Sequence, residues 1–160
     1  MKKVILSILL CISFFLLNSC GEESANLNYE TDYKEACAKQ DWVKAYSWVQ
    51  KYREEEVKAR IDANSVSRSR VGSKNYHHVV RQRHDLANYY QSKYEEGIRY
   101  VAMQECLYII DNYGANGVLR IIGIAKEHGI ENWLFDELLD VAEKMGDEEL
   151  IQKFKNMSQK

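Results

Sequence analysis

The chain contains no proline, so nothing in it imposes a hard stop on a long helix. It has no Cys-x-x-Cys pair, which removes both a thioredoxin-like redox motif and a zinc knuckle. A His-Glu-x-x-His pair, a Gly-x-Ser-x-Gly elbow, a papain-like cysteine context and a glycine-rich phosphate loop are also missing. With them go the commonest sequence signs of zinc proteolysis, acyl transfer and nucleotide chemistry. Histidine is scarce, and only His77, His78 and His84 cluster. On a helix, residues 77 and 84 lie about 10 Å apart along the axis while neighbours diverge, so neither a metal site nor a cofactor is expected. Carboxylates are plentiful but read as surface. Glu54 to Glu56 and Glu95-Glu96 look like solvated helix faces, and Asp147-Glu148-Glu149 suits the first turn of a helix, where negative charge complements the dipole. No two of them share an apolar setting, as general acid-base work requires. The sequence therefore points away from an enzyme.

Long apolar runs are nearly absent as well. The one exception is residues 4–17, an uncharged stretch behind Lys2 and Lys3. As a helix it measures roughly 21 Å, against about 30 Å for a bilayer core, which fits the early part of a secretory signal better than a membrane span. Leu17-Asn18-Ser19-Cys20 follows it and resembles the lipobox of bacterial lipoproteins: an aliphatic residue, a tolerant position, a small residue, then cysteine. Asn18 stands where Ala, Ser or Thr is usual. The resemblance covers about the first twenty residues. It implies cleavage before Cys20, a thioether from its thiol to diacylglycerol, and two or three acyl chains. Each buried methylene contributes about 0.8 kcal/mol, so several chains anchor firmly where one does not. Gly21 is not the aspartate that retains such proteins at the inner membrane of enteric bacteria, which favours the outer membrane. Gly21-Glu22-Glu23 is similar to the acidic tag of surface-exposed lipoproteins of the Bacteroidetes. The resemblance thus implies a cell-envelope protein, periplasmic or surface-exposed, held to the membrane by lipid on Cys20.

On this reading residues 1–19 are a signal peptide, residues 20–28 a polar tether and residues 29–160 the folded domain. Loss of Lys2 and Lys3 leaves 20 basic against 24 acidic residues, a net charge of −4. That balance and the extracytoplasmic address exclude a general nucleic-acid binder. Cys11 leaves with the signal and Cys20 carries lipid, so Cys37 and Cys106 remain. In an oxidising envelope they are a candidate disulfide, although each also fits the apolar side of a helix, where a free thiol packs as a small hydrophobe.

The folded part is expected to be all-α, either a small helical bundle or an irregular array of helical hairpins. Tyr33, Ala36 and Cys37 share a face, and beyond a Gln40-Asp41 break Trp42, Ala45, Tyr46, Val49 and Tyr52 share another, with Asp41 as N-cap. This second helix is expected to end near Arg60. Residues 62–75 are rich in turn formers and lack a period, so they read as a mobile basic loop. A stripe of Leu86, Tyr90, Tyr94, Ile98, Ala102, Cys106, Ile109 and Tyr113 then marks a long helix. Gly97 lies beside that stripe and is expected to mark a kink or a break. Gly114, Gly129 and Gly146 close successive helices. Two of these boundaries are alike at a 17-residue offset, Ala125-Lys126-Glu127-His128-Gly129 against Ala142-Glu143-Lys144-Met145-Gly146, and residues 36–45 are a looser copy. Short helices, tight turns and inward alanines resemble tetratricopeptide-type helical-hairpin repeats over about half the chain, although the full 34-residue signature is not met.

Charge and aromatic residues supply the candidate contacts. Between Lys58 and His84 seven bases face Asp62 alone, a local +6, and between Glu131 and Leu150 eight acids face only Lys144, a local −7. The two segments either pair, meet water, or, in the case of the basic one, dock an anionic partner. Arg68, Arg70, Arg81 and Arg83, with Tyr89 as neighbour, are the residues expected to contact a protein partner at the envelope. Tyr89, Tyr100 and Tyr108 fall off the main stripe of the long helix and either pack or form a contact surface. A glycan or other small ligand held on Tyr and Trp faces is the alternative.

Overall fold

The computed structural model describes residues 29–69 and 76–158. These form six α-helices and one short 3-10 turn, with no strand among the described residues. The fold is all-α. Helix α1 (Tyr29–Ala38) leads into a long antiparallel hairpin of α2 (Trp42–Ser69) and α3 (Tyr76–Tyr113). The 3-10 turn Gly114–Gly117 then delivers three short helices, α4 (Val118–His128), α5 (Glu131–Met145) and α6 (Glu148–Ser158).

The hairpin is zipped by a seam of period 3.5. On α2 the buried positions are Ala45, Val49, Tyr52, Glu56, Ala59 and Ala63, at alternating steps of four and three. That is the heptad spacing of an antiparallel coiled coil. Ala59 and Ala63 meet the buried Ala87 end of α3, and small side chains let the two backbones run close there. The same alternation explains why α2 does not stop near Arg60. Ala63 is fully buried and keeps the seam going, so residues 62–69 are helical in spite of their serines. The expected loop at 62–75 is corrected to that extent; residues 70–75 lie outside the described residues.

Gly97 is also reassigned. Helix α3 runs unbroken from Tyr76 to Tyr113, and Gly97 is buried against α2. A Cβ placed there would stand 2.8 and 2.9 Å from the two methyl groups of Val49. The glycine marks a close approach between helices rather than a break. Val49 is β-branched and stiff at χ1, so it yields poorly. Gly97→Ala is expected to lower stability by about 1 kcal/mol net, overpacking outweighing the gain in helix propensity. Urea midpoints check this. In a Val49→Ala background the same substitution is expected to become neutral or stabilising, and an unchanged cost there would refute the steric account.

Two apolar clusters share α3. The first gathers Tyr33, Ala36, Cys37, Ala45, Val49, Tyr52, Ile98 and Val101, with Trp42, Trp48, Tyr90, Tyr94 and Tyr100 half-buried around it. The second joins the C-terminal half of α3 to α4, α5 and α6 through Ile109, Ile121, Leu134, Leu138, Leu150 and Phe154, among others. Ile130 packs against both. Cys37 and Cys106 fall in different clusters and are both free, buried thiols, so the candidate disulfide is corrected to two packing residues. The stripe of α3 is buried in its middle, while Leu86 and Tyr113 at its ends are exposed.

Three of the turns have one geometry. After α4, Ile130 N donates to Ala125 O (3.0 Å) and Gly129 N to Lys126 O (3.3 Å). After α5, Asp147 N donates to Ala142 O (3.2 Å) and Gly146 N to Glu143 O (3.2 Å). After α1, Asp41 N donates to Ala36 O (3.0 Å) and Gln40 N to Cys37 O (2.9 Å). Each is a Schellman ending with its left-handed residue at Gly129, Gly146 or Gln40. Asp41 and Asp147 then cap the next helix through Oδ1, to Lys44 N and Leu150 N, both at 3.1 Å. The shared alanine sits where the chain reverses and two helices must pass closely. Among the described residues, no helix is long and apolar enough to cross a membrane.

Candidate functional site

Of the basic segment, the side chains of Lys58, Arg60, Arg81 and Arg83 fall among the described residues. Helix α3 carries Arg81 and Arg83 two residues apart, hence on nearly opposite sides. Arg81 is exposed, whereas Arg83 turns toward α2 and pairs with Asp62 at 3.4 Å. Arg53 and Arg60 both bind the carboxylate of Glu56, and Arg60 also donates to Gln91 Oε1 at 2.8 Å. Glu56 is therefore buried, not part of a solvated face. Burial alone would raise its pKa; the two guanidinium groups outweigh that and hold it below the usual carboxylate value. Tyr89 is exposed and lies edge-on to Tyr90, centroids 5.5 Å apart. Arg68 belongs to α2, and Arg70 lies outside the described residues. The acidic residues of α5 and α6 pair within their own end of the molecule: Glu143 with Lys155 (3.5 Å) and Glu149 with Lys153 (2.8 Å). Tyr100 is half-buried against Tyr33, and Tyr108 is half-buried against Trp42 at 5.8 Å.

A different place gathers more chemistry. Where the start of α2 and the middle of α3 meet α4, a cleft of ≈ 430 Å³ is lined by Trp42, Val43, Tyr46, Glu105, Arg120, Gly123, Ile124, Glu127 and His128. The volume falls within the ~300–1,000 Å³ typical of ligand sites. Helical spacing builds it. Arg120, Gly123, Ile124 and Glu127 recur at i, i+3, i+4 and i+7, one face of α4, while Tyr46 follows the seam residue Ala45 and so points out of the seam toward that face.

Glu105 is the electrostatic centre. It is only 6% exposed and would be costly to bury alone. Arg120 Nη2 donates to its Oε1 at 3.1 Å, the guanidinium remaining half in water. The Tyr46 hydroxyl is buried and makes no hydrogen bond of ordinary geometry. Burial first, then the charge of Glu105, push this phenol far above its usual pKa. The Tyr46 ring stacks on His128, centroids 4.4 Å apart and planes 23° from parallel. Burial lowers the imidazole pKa against the opposing pull of Glu127 and Glu105, so His128 is neutral at pH 7. Val43 at the rim is 84% exposed, and Leu119, one turn before Gly123, is 82% exposed.

Five titratable groups line the cleft, Tyr46, Glu105, Arg120, Glu127 and His128. Glu105 is engaged by Arg120, and the Tyr46 hydroxyl lies near enough to the same carboxylate for its charge and hydrogen bonding to help raise the phenol pKa. The phenol lies outside the range useful for proton transfer near neutrality. The cleft offers aromatic walls, a fixed charge pair and the exposed Val43. Among the described residues, no three His, Cys, Asp or Glu side chains come together as a metal-ligand set. Sequence reasoning missed this site because its members are spread from residue 42 to residue 128. The only sequence signal was Gly123, a glycine inside an amphipathic helix. Comparison of the chain with protein-family models, curated proteins and solved structures finds no match.

Proposed function

We propose that this protein is a lipid-anchored, non-enzymatic module of the bacterial cell envelope that binds a protein partner through the cleft between α2, α3 and α4. The observation that carries the reading is Val43, a large aliphatic side chain left almost wholly in water, on a cleft that also contains Trp42, Tyr46 and Arg120, with the equally exposed Leu119 on α4, one of the cleft's helices. Tryptophan, tyrosine and arginine are the residue types that dominate binding energy at protein interfaces. Exposed aliphatics beside them are what a partner would cover. The basic residues Arg81 and Arg83 contribute charge at the far end of the hairpin rather than the contact itself.

The anchor rests on the lipobox at Leu17-Asn18-Ser19-Cys20. From Cys20 to the start of α1 at Tyr29 the chain can span about 30 Å at most, so the domain would work close to the membrane surface. One experiment tests both halves of the reading. A photo-crosslinking amino acid is placed at Val43 in the full-length protein, in a Cys20 and a Cys20→Ser version. The expected result is a discrete protein adduct from the Cys20 form, which partitions with membranes and incorporates labelled fatty acid. The Cys20→Ser form is expected in the soluble fraction. No adduct at Val43 would refute the partner reading, and a membrane-bound Cys20→Ser form would refute the lipid anchor. A glycan or small ligand on Trp42 and Tyr46 is the second reading, favoured by their position in the cleft wall; it predicts ligand-induced quenching of tryptophan fluorescence and no adduct.

A further inference from the structure

The structure describes six glycines in detail, and five have a reason internal to the fold. Gly114, Gly129 and Gly146 adopt positive φ. Gly97 and Gly117 face side chains that a Cβ would strike, at 2.8 Å from Val49 and 2.3 Å from Ile109. Gly123 has neither reason. It lies in the middle of α4, and a Cβ built on it meets nothing within 4 Å. Glycine in a helix interior is unfavourable relative to alanine. What glycine provides is room for another backbone or a flat group to approach closely. Gly123 is exposed and is one of the residues that line the cleft.

The charge of the cleft says what kind of group enters. Its walls hold two carboxylates, Glu105 and Glu127, and one guanidinium, Arg120. Arg120 meets Glu105 through a single nitrogen, which leaves acceptor capacity on a carboxylate able to take several hydrogen bonds. Trp42 and Tyr46 add ring faces that attract cations. With Glu105 paired to Arg120, the lining is one negative charge in excess, carried by the exposed Glu127.

We infer that the cleft seats a lysine or arginine side chain of the protein partner, whose backbone passes over Gly123 with aliphatic neighbours against Val43 and Leu119. This inference rests on the partner reading above and narrows it. The basic head group meets Glu105 and Glu127 between the aromatic walls, and the chain on either side covers the exposed aliphatics.

The test uses the full-length lipoprotein in detergent, immobilised and exposed to a display library of random 12-residue peptides. Enriched peptides are expected to carry lysine or arginine beside aliphatic residues. Replacing that basic residue by glutamine is expected to weaken binding at least about tenfold, and Glu127→Gln to weaken it severalfold, less so in high salt. Gly123→Ala supplies the sharper arm. It is expected to raise Tm by roughly 2–4 °C through helix propensity while weakening the peptide at least about tenfold. Loss of binding through misfolding cannot mimic that combination. Enrichment of acidic or neutral peptides, no enrichment at all, or unchanged affinity in Gly123→Ala would each overturn the inference. If the Val43 adduct forms yet any of these occurs, the partner reading stands and only the basic contact falls. If the adduct itself is missing, the failure belongs to the partner reading.

Discussion

Phe154→Ala is expected to destabilise the protein by about 3–5 kcal/mol, and to do so from one end. Phe154 is fully buried in the cluster formed by α3, α4, α5 and α6. Truncating an aromatic side chain in a packed core loses the transfer energy of its ring and leaves a cavity that neighbours fill only in part. The helix that carries it has few other holds. Helix α6 has 11 residues, too few to be helical in water on its own. Its buried side chains are Leu150 and Phe154, with Ile151 and Met157 half-buried. Two polar contacts add to these, Lys153 Nζ to Ala115 O at 3.1 Å and the exposed Lys155–Glu143 pair at 3.5 Å. The variant is therefore expected to release α6 before the rest unfolds. Amide hydrogen exchange distinguishes this from a uniform loss. Amides of α6 and the second half of α5 should exchange much faster, while those around Val49 and Val101 keep most of their protection. Equal acceleration throughout would show that the two clusters act as one cooperative unit.

The contrast between what was legible and what was not follows from the range of the interactions. The three Schellman turns are local, each written within six residues, and the likeness of residues 36–41, 125–130 and 142–147 marks them in the sequence. The caps at Asp41 and Asp147 are local too, and so is the seam of α2 as far as Tyr52. Past that point the serines of residues 62–69 carry a turn signal, and only the burial of Ala63 beside α3 keeps the helix going. Gly97 has the same character: its meaning depends on Val49, 48 positions earlier. Glu105 is paired with Arg120 on α4, 15 positions on, whereas the partners of Glu56, Arg53 and Arg60, are local and only its burial against α3 was hidden. The cleft is the extreme instance, since nothing near Tyr46 announces His128 or Glu105.

Alkaline pH is expected to unfold the domain cooperatively, at a pH where ordinary proteins of this size still fold. Five buried acids of the thiol and phenol type share the N-terminal cluster and its border. Burial first, then the charge of Glu105, push Cys37 up to about 11 and Cys106 up to about 12 from an ordinary thiol value near 9. Arg120 offsets part of the effect on Cys106. Burial, reinforced by Glu30, pushes Tyr52 up to about 12 and Tyr33 higher still, and Tyr46 is raised by burial and Glu105. Each of these pKa values is higher folded than unfolded. The folded state therefore holds protons that the unfolded state has already released, and stability falls with pH in that interval. The contribution is fully present below the unfolded values near 9 and 10 and is lost as pH rises through the folded values near 11 and 12. All five shifts have the same sign, so their effects on stability add as pH rises. Helicity by circular dichroism and tyrosinate absorbance, followed from pH 8 to 12 in the presence of a reductant, check the claim together. Part of the tyrosinate signal, that of Tyr33, Tyr46 and Tyr52, should appear only as helicity is lost. Cys106→Ala removes one of the linked protons and is expected to flatten the alkaline loss of urea midpoint, whatever it costs at neutral pH. If all the tyrosines ionised in one step while the helices stayed intact, the phenols of Tyr33, Tyr46 and Tyr52 would have to reach water without unfolding, and the tight aromatic packing of α1 on the hairpin would be wrong.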